Sequence, residues 1–290
     1  VAIQRAVERF RENYGSEALV TLRAIRGPVV EAHFTGNMCY SCGLYDYFED
    51  FAYMLEAATG SPYAVWDFTP VAGDELAFLV RLVKLTFLPE LERAKQRAGP
   101  LVEARVKEFL ETGRDEEAAF LELCFCLLTA NYHALGGMRI QQEVGRGFLT
   151  LNQEALAARL KELGYRFPNT RAAYIVAARR LYGQLLDTLN GFLSSGEARE
   201  WLVRNVKGLG FKEASHFLRN IGHLDVAIID RHILRFLHRH AIIEHIPSSL
   251  TPRRYLELER LLLAAARRTG LEPGVLDLYF WYLETGRVLK

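Results

Sequence analysis

Residues 206–235, VKGLGFKEASHFLRNIGHLDVAIIDRHILR, hold two closely spaced glycines, a lysine just past them and an aspartate eighteen positions later. Gly208 and Gly210 fit a sharp reversal where side chains would obstruct the backbone or whatever approaches it. From Lys212 the spacing becomes helical, with Phe217, Leu218 and Ile221 along one side and Gly222 as the stop. Asp230 then stands before a second apolar run, Ile233, Leu234 and Leu237, where a helix cap belongs. The stretch predicts helix, hairpin, helix, loop and capped helix.

Outward from it, nearly everything after Gly99 reads as helix. The spacing predicts helices over 101–111, 116–130, 138–146, 152–163, 170–190, 196–205, 212–222, 231–242, 252–267 and 272–283, broken at glycines and prolines. Upstream the chain is mixed. Residues 1–12 form an amphipathic helix, Val29 to Phe34 a short strand, and 45–60 a helix ending near Gly60. The aromatic, proline-punctuated stretch 61–75 reads as loop or short strand, and ELAFLVRLVKLTFL after it as helix. No alternating run is long enough for a major sheet, so the expected class is mainly α. The GLG triplet lacks the preceding strand and the full fingerprint of a nucleotide loop.

Composition narrows the partners. The 290 residues are half apolar and a quarter charged, an ordinary globular balance with a formal charge of +1. No secretory pattern opens the chain and no apolar run reaches eighteen residues, so no membrane span is expected. Residues 199–254 carry ten Lys or Arg against five Asp or Glu, and six of the eight histidines. That excess beside a glycine hairpin suits an anionic partner, phosphate first, and a solvated helical surface with a basic bias accounts for the charge equally well. The cysteines form CYSC at 39–42 and CFC at 124–126. The second pair lies in an apolar helical run and reads as core filling in a reducing compartment. The first has CxxC spacing, with His33 as the nearest further ligand, but supplies only two thiolates, and no four cysteines cluster for an iron–sulfur centre.

A neutral lysine amine attacks carbon, and a carboxylate nearby stabilises positive charge that develops on a sugar. Hairpin amides and the helix start after Asp230 hold phosphates. Taken singly, Lys212 is a solvated lysine and Asp230 a cap. The order hairpin, Lys, eighteen residues, Asp-Arg-His is much harder to dismiss.

At this point the chain resembles the helix–hairpin–helix DNA glycosylases, and most closely the second family of 8-oxoguanine DNA glycosylase/lyases of archaea and some bacteria. The resemblance rests on FCLLTANYHALGGMRIQQEVGRGFLTL at 125–151, LGYRFPNTRAAYI at 163–175 and the opening stretch. It implies a fold of two helical lobes over 89–290, and leaves 1–88 as a mixed or helical amino-terminal extension of unassigned role. It implies a bifunctional enzyme in which Lys212 attacks C1′ of the oxidised nucleoside, paired with Asp230. Gly208, Gly210 and His232 contact phosphate, Trp281 and Lys290 read the extruded base, and Asn131 is the candidate probe of the gap. Read alone, Trp281 is a core aromatic and Lys290 a frayed end. No cofactor is required, though the hairpin carbonyls suit a monovalent cation. The expected partner is double-stranded DNA containing oxidised guanine, met by a monomer in the cytoplasm or nucleoid of a prokaryotic cell. Two rival readings are a glycosylase for another damaged or mispaired base, and a non-catalytic helix–hairpin–helix DNA-binding module, which has no use for the Lys–Asp pair.

Overall fold

The computed structural model describes residues 1–40 and 43–290. The chain begins α1 (Ala2–Tyr14), β1 (Ala18–Arg26), β2 (Val29–Gly36), α2 (Leu44–Thr59), β3 (Tyr63–Val71) and β4 (Asp74–Lys84). Helices follow: α3 (Leu88–Thr112), α4 (Glu116–Thr129), α5 (Ala134–Val144), α6 (Gly147–Thr150), α7 (Gln153–Glu162) and α8 (Pro168–Ala178). Then come α9 (Leu185–Asn190), α10 (Ser195–Asn205), α11 (Phe211–Asn220), α12 (Arg231–Arg239), α13 (Pro252–Thr269) and α14 (Pro273–Thr285). They divide into two compact units, Val1–Gln96 with Arg231–Leu271, and Arg97–Asp230 with Glu272–Lys290.

In the first unit four antiparallel strands form a sheet in the order β1-β2-β4-β3. One face is covered by α1 and α2, where Phe10, Phe34, Phe48 and Phe51 are fully buried and meet edge to face. Each such ring contributes roughly 1.5–3 kcal/mol through burial. Across the sheet, α13 is fastened by polar contacts: the Trp66 indole donates to the Glu257 carbonyl at 2.9 Å, and Arg81 bridges Glu257 at 2.7 Å and Asp67 at 2.8 Å. Arg268 of α13 is paired with Glu56 of α2. Residues of the amino-terminal extension and of α13 therefore share one packed unit.

The sheet corrects two expectations. Residues 75–88 were expected to be helical, yet 74–84 is β4, a central strand paired with β2 and β3. Phe78, Val80 and Leu82 are buried on one face while Ala77 and Val83 are buried on the other. A strand covered on both faces shows no alternation, and its apolar run cannot be told from a buried helix by period alone. The edge strand β1, which pairs with β2, was not foreseen, because ALVTLRAIR has polar and exposed residues along much of its length. Cys42 and the side chain of Cys39 lie outside the described residues, and the metal or redox reading of that pair lies there with them.

The second unit is helical. At its centre α4 is buried from Ala119 to Thr129 apart from a half-buried Leu121, and the Asp115 carboxylate accepts the Ala118 amide at 2.8 Å to cap its start. Cys124 and Cys126 are free thiols inside that core, and burial pushes both up, as core filling requires. The expected helix 170–190 is broken: α8 ends in a short turn at Arg179–Leu181, and α9 starts afresh. Glu116 takes up the new start, accepting the amides of Gly183, Leu185 and Leu186 at 2.8, 2.8 and 3.0 Å.

Candidate active site

The hairpin of the opening stretch closes α10 and opens α11, both in the second unit. The Val206 carbonyl accepts the Leu209 amide at 3.2 Å, and Gly208 holds φ +96°, a conformation that favours glycine. A Cβ there would stand 2.4 Å from the Tyr174 ring, so glycine is required by space as well as by φ. Gly210 is the N-cap of α11, and its amide is taken by the Glu213 carboxylate at 3.3 Å. Lys212 lies in the first turn of that helix, half-buried, with Nζ 3.6 Å from Glu213 Oε1. Beyond Glu213, every residue of α11 from Ala214 to Asn220 is buried. The lysine therefore stands at the edge of a helix anchored in the core.

One turn past Lys212, His216 is buried with its ring 5.6 Å from Phe125 and hydrogen-bonded to the Lys290 backbone. Burial, then the charges of Arg219 and Lys212, push the imidazole well below its ordinary range, so the ring is neutral. Its Nδ1 has no protein partner. The Lys290 ammonium lies 4.5 Å from the Phe125 ring centroid and donates to Glu122 Oε2 at 2.7 Å and to Gln141 Oε1. Far from fraying, Lys290 is tied to α4 and α5.

From Glu122 a chain of buried polar groups continues. Asn220 Nδ2 donates to Glu122 Oε1 at 2.7 Å, and the Arg219 guanidinium donates to Asn220 Oδ1 at 2.9 and 3.1 Å. Arg219 Nη1 donates to Asp277 Oδ1 at 2.7 Å, and the Ile228 amide donates to Asp277 Oδ2 at 2.8 Å. Burial pushes the Asp277 carboxyl up to about 6; Arg219 and the Ile228 amide oppose that, and the negative charge of Asp230 adds to it. Asp230 itself is half-buried, two residues past Ile228, and Trp281 follows Asp277 one turn later on α14. Trp281 is half-buried as well.

Asn131 is the exposed tip of the turn between α4 and α5, with φ +63°. Asparagine tolerates that conformation better than most residues. Buried Arg171 supports the turn: its Nη2 donates to the Ala130 carbonyl at 3.1 Å, and its Nε to the Tyr165 hydroxyl at 3.3 Å. The same guanidinium lies 5.5 Å from the Tyr174 ring that packs on Gly208, so one arginine braces both turn and hairpin. Gly208, Gly210, Lys212, Asp230, Trp281, Lys290 and Asn131 thus belong to the second unit, whereas His232, the second residue of α12, belongs to the first.

Sequence reasoning missed Glu122, Asp277, Arg219, Asn220, His216 and Arg171. Two of them carried a signal: Glu122 in FLELCFCLL and Asp277 in VLDLYFWYL are acids inside apolar helical runs. A carboxylate that deep must find a cation or donors, which is reason enough to search for them. Among the described residues, no cluster of three or more His, Cys, Asp or Glu is arranged to hold a metal ion, and no helix is long and apolar enough to cross a membrane.

Known proteins resemble this chain in sequence and in fold. The family model of 8-oxoguanine DNA glycosylase matches residues 102–271. A relative named 8-oxoguanine DNA glycosylase/AP lyase, from Korarchaeum cryptofilum, is 54% identical over 194 residues, which span 67% of this chain and 92% of that protein. The crystal structure of the 8-oxoguanine DNA glycosylase of Thermotoga maritima aligns with a TM-score of 0.66 at 49% identity, covering 70% of this chain and 98% of that one. The Methanocaldococcus jannaschii 8-oxoguanine glycosylase/lyase, solved in complex with a 15mer DNA containing 8-oxoguanine, aligns with a TM-score of 0.68 at 49% identity over 70% of this chain and 99% of its own. Nearly the whole length of these relatives is thus matched by about two thirds of this chain. The fold is that of the helix–hairpin–helix glycosylases, with the small sheet as an addition. The chain belongs to the 8-oxoguanine DNA glycosylase family.

Proposed function

We propose that this chain is a bifunctional DNA repair enzyme that excises 8-oxoguanine and then cleaves the strand at the abasic site. One observation carries the reading: Lys212 follows the glycine hairpin into α11, in a chain that over about two thirds of its length is about half identical to relatives named for both activities. Duplex DNA lies on the hairpin amides, with His232 on a phosphate, and the oxidised nucleotide is turned out of the stack. The neutral amine of Lys212 attacks C1′ as the bond from C1′ to the base breaks. The base leaves with the electron pair and a proton, and the attacking nitrogen gives up a proton. The nitrogen lone pair then opens the sugar ring, O4′ takes a proton, and a protonated Schiff base forms. Loss of a C2′ proton expels the 3′ phosphate, which nicks the strand, and water later releases Lys212.

In these steps Asp230 stabilises the positive charge that builds on the sugar. Trp281 offers a flat face to the extruded base, Lys290 meets its edge, and Asn131 stands at the gap left in the duplex. The steps draw on no metal or organic cofactor. A monovalent cation at the hairpin would be held by its backbone carbonyls, each of which keeps a lone pair beside any amide it accepts. We take the enzyme to act as a monomer in the cytoplasm or nucleoid of a prokaryotic cell.

The test is borohydride trapping on a duplex containing 8-oxoguanine. The unaltered protein forms a covalent adduct and nicks the strand. Lys212→Gln does neither while binding the duplex with nearly unchanged affinity, because phosphate contacts come mainly from backbone and other side chains. A normal adduct from that variant would remove Lys212 from the role.

A further inference from the structure

We infer that Asp277 is a positioning residue for the reaction: it holds the loop before α12 so that Asp230 meets the reacting sugar. The inference rests on the assignment of Asp230 made above. Residues 225–230 have no helical or strand ladder of their own, so their backbone groups need partners elsewhere. The carboxylate of Asp277 supplies one, accepting the Ile228 amide at 2.8 Å. The chain just before the loop is held one turn earlier on α14, where the Gly274 amide donates to the Leu224 carbonyl at 2.8 Å. Gly274 permits that approach, since a Cβ there would press within 3.1 Å of the Val226 carbonyl and 3.2 Å of the Leu224 carbonyl.

Asp277 is not free to adjust. It is 2% exposed, and Arg219 fixes its other oxygen at 2.7 Å. Arg219 stands seven residues after Lys212 on α11, two turns along the same side of the helix. One buried carboxylate therefore joins the helix of the nucleophile, the loop of Asp230 and the helix of Trp281. The polar chain runs on through Asn220 and Glu122 to the Lys290 ammonium, so each group along it limits the freedom of the next. In Asp277→Asn one oxygen is left for two donors: the Arg219 guanidinium holds it, the Ile228 amide faces an NH2 group without an acceptor, and the loop relaxes. A displacement of about 1 Å at a reacting group costs on the order of 10²-fold in rate.

The experiment compares Asp277→Asn, Asp230→Asn and the double variant by single-turnover rates on an 8-oxoguanine duplex and on a pre-formed abasic duplex. Asp277→Asn should slow both reactions, roughly 10- to 10²-fold, with DNA affinity unchanged. Because it acts through Asp230, the double variant should be hardly slower than Asp230→Asn alone. Losses that multiply in the double variant mean that Asp277 acts on stability or elsewhere, and overturn the inference. A slow Asp230→Asn beside a fast Asp277→Asn also overturns it, while sparing the Asp230 assignment. A fast Asp230→Asn removes that assignment and the inference with it. Should Asp277→Asn not fold, amide hydrogen exchange of the unaltered protein decides. Protection of the Ile228 amide comparable to core helices supports the anchor, and exchange at the rate of an unstructured amide overturns it.

Discussion

The Lys290 ammonium and the Glu122 carboxylate lie 2.7 Å apart, and Glu122 is buried in the middle of α4. That carboxylate also accepts from Asn220 and Gln141, so three donors converge on it. Its charge is what fastens Lys290 over Phe125. Glu122→Gln should lower stability by roughly 1–3 kcal/mol, the usual cost of losing hydrogen bonds to a charged group, and urea unfolding measures it. The same variant should slow excision of 8-oxoguanine more than lyase action on an abasic duplex, which presents no base to read. Lys290→Met should show the same bias with a stability loss at least as large, because it leaves the buried Glu122 charge without its cation. Equal slowing on both substrates would mean that this pair supports the fold alone.

Gly208→Ala tests the hairpin. The new Cβ would face the Tyr174 ring at 2.4 Å in a backbone held at φ +96°. Strain of this kind costs about 1–3 kcal/mol. Tyr174 is braced by Arg171, so relief has to come from the hairpin itself. Weaker binding to damaged and undamaged duplex alike is the expected outcome, measured by fluorescence anisotropy with melting curves alongside. A variant that kept full affinity would show that the hairpin backbone does not meet the DNA.

How much of this was legible in the sequence depends on where information is local. The hairpin glycines, Lys212 at a helix start and the run after Asp230 are set by neighbours in the chain, and the structure has them as read. The strand β4 was misread because burial on both faces erased the alternation that marks a strand. The break between α8 and α9 was missed because its start is held by Glu116, about seventy residues away in the chain. The Asp277–Arg219 and Lys290–Glu122 pairs span 58 and 168 positions. Spacing rules do not reach that far, and only the buried acids hinted at them.

Binding should also depend strongly on salt. The ten basic residues between 199 and 254, set against five acids, accompany a hairpin suited to phosphate. Each neutralised phosphate contributes a slope of about 0.9 in the plot of log affinity against log salt for duplex DNA. A titration at several ionic strengths should give a slope of several units, and a flat line would contradict a phosphate-gripping hairpin. Lys212→Gln should leave the slope nearly unchanged, since the nucleophile addresses the sugar.

His216 gives the protein an acid sensitivity whose sign can be worked out. Its folded pKa lies well below the ordinary 6.5 because burial and nearby cations oppose the charged ring. As pH falls below about 6.5, the unfolded chain takes up a proton that the folded protein refuses, so acid favours unfolding. The slope contributed by one such group reaches at most about 1.4 kcal/mol per pH unit. Asp277 acts in the opposite sense, with a carboxyl raised from 3.8 to about 6. Between about 6 and 4 the folded protein binds that proton first, and acid favours folding. The two opposing contributions overlap below about pH 6, so their sum conceals each. Comparing the unaltered protein with His216→Gln separates them, because Asp277 and the remaining groups cancel in the difference. Glutamine stays neutral and can still donate to the Lys290 backbone. Unfolding free energies measured from about pH 7 down to 5 should show the variant gaining on the unaltered protein as pH falls, whatever its offset at neutral pH. A constant difference across that range would mean that the His216 ring takes up its proton in the folded protein as readily as in the unfolded chain.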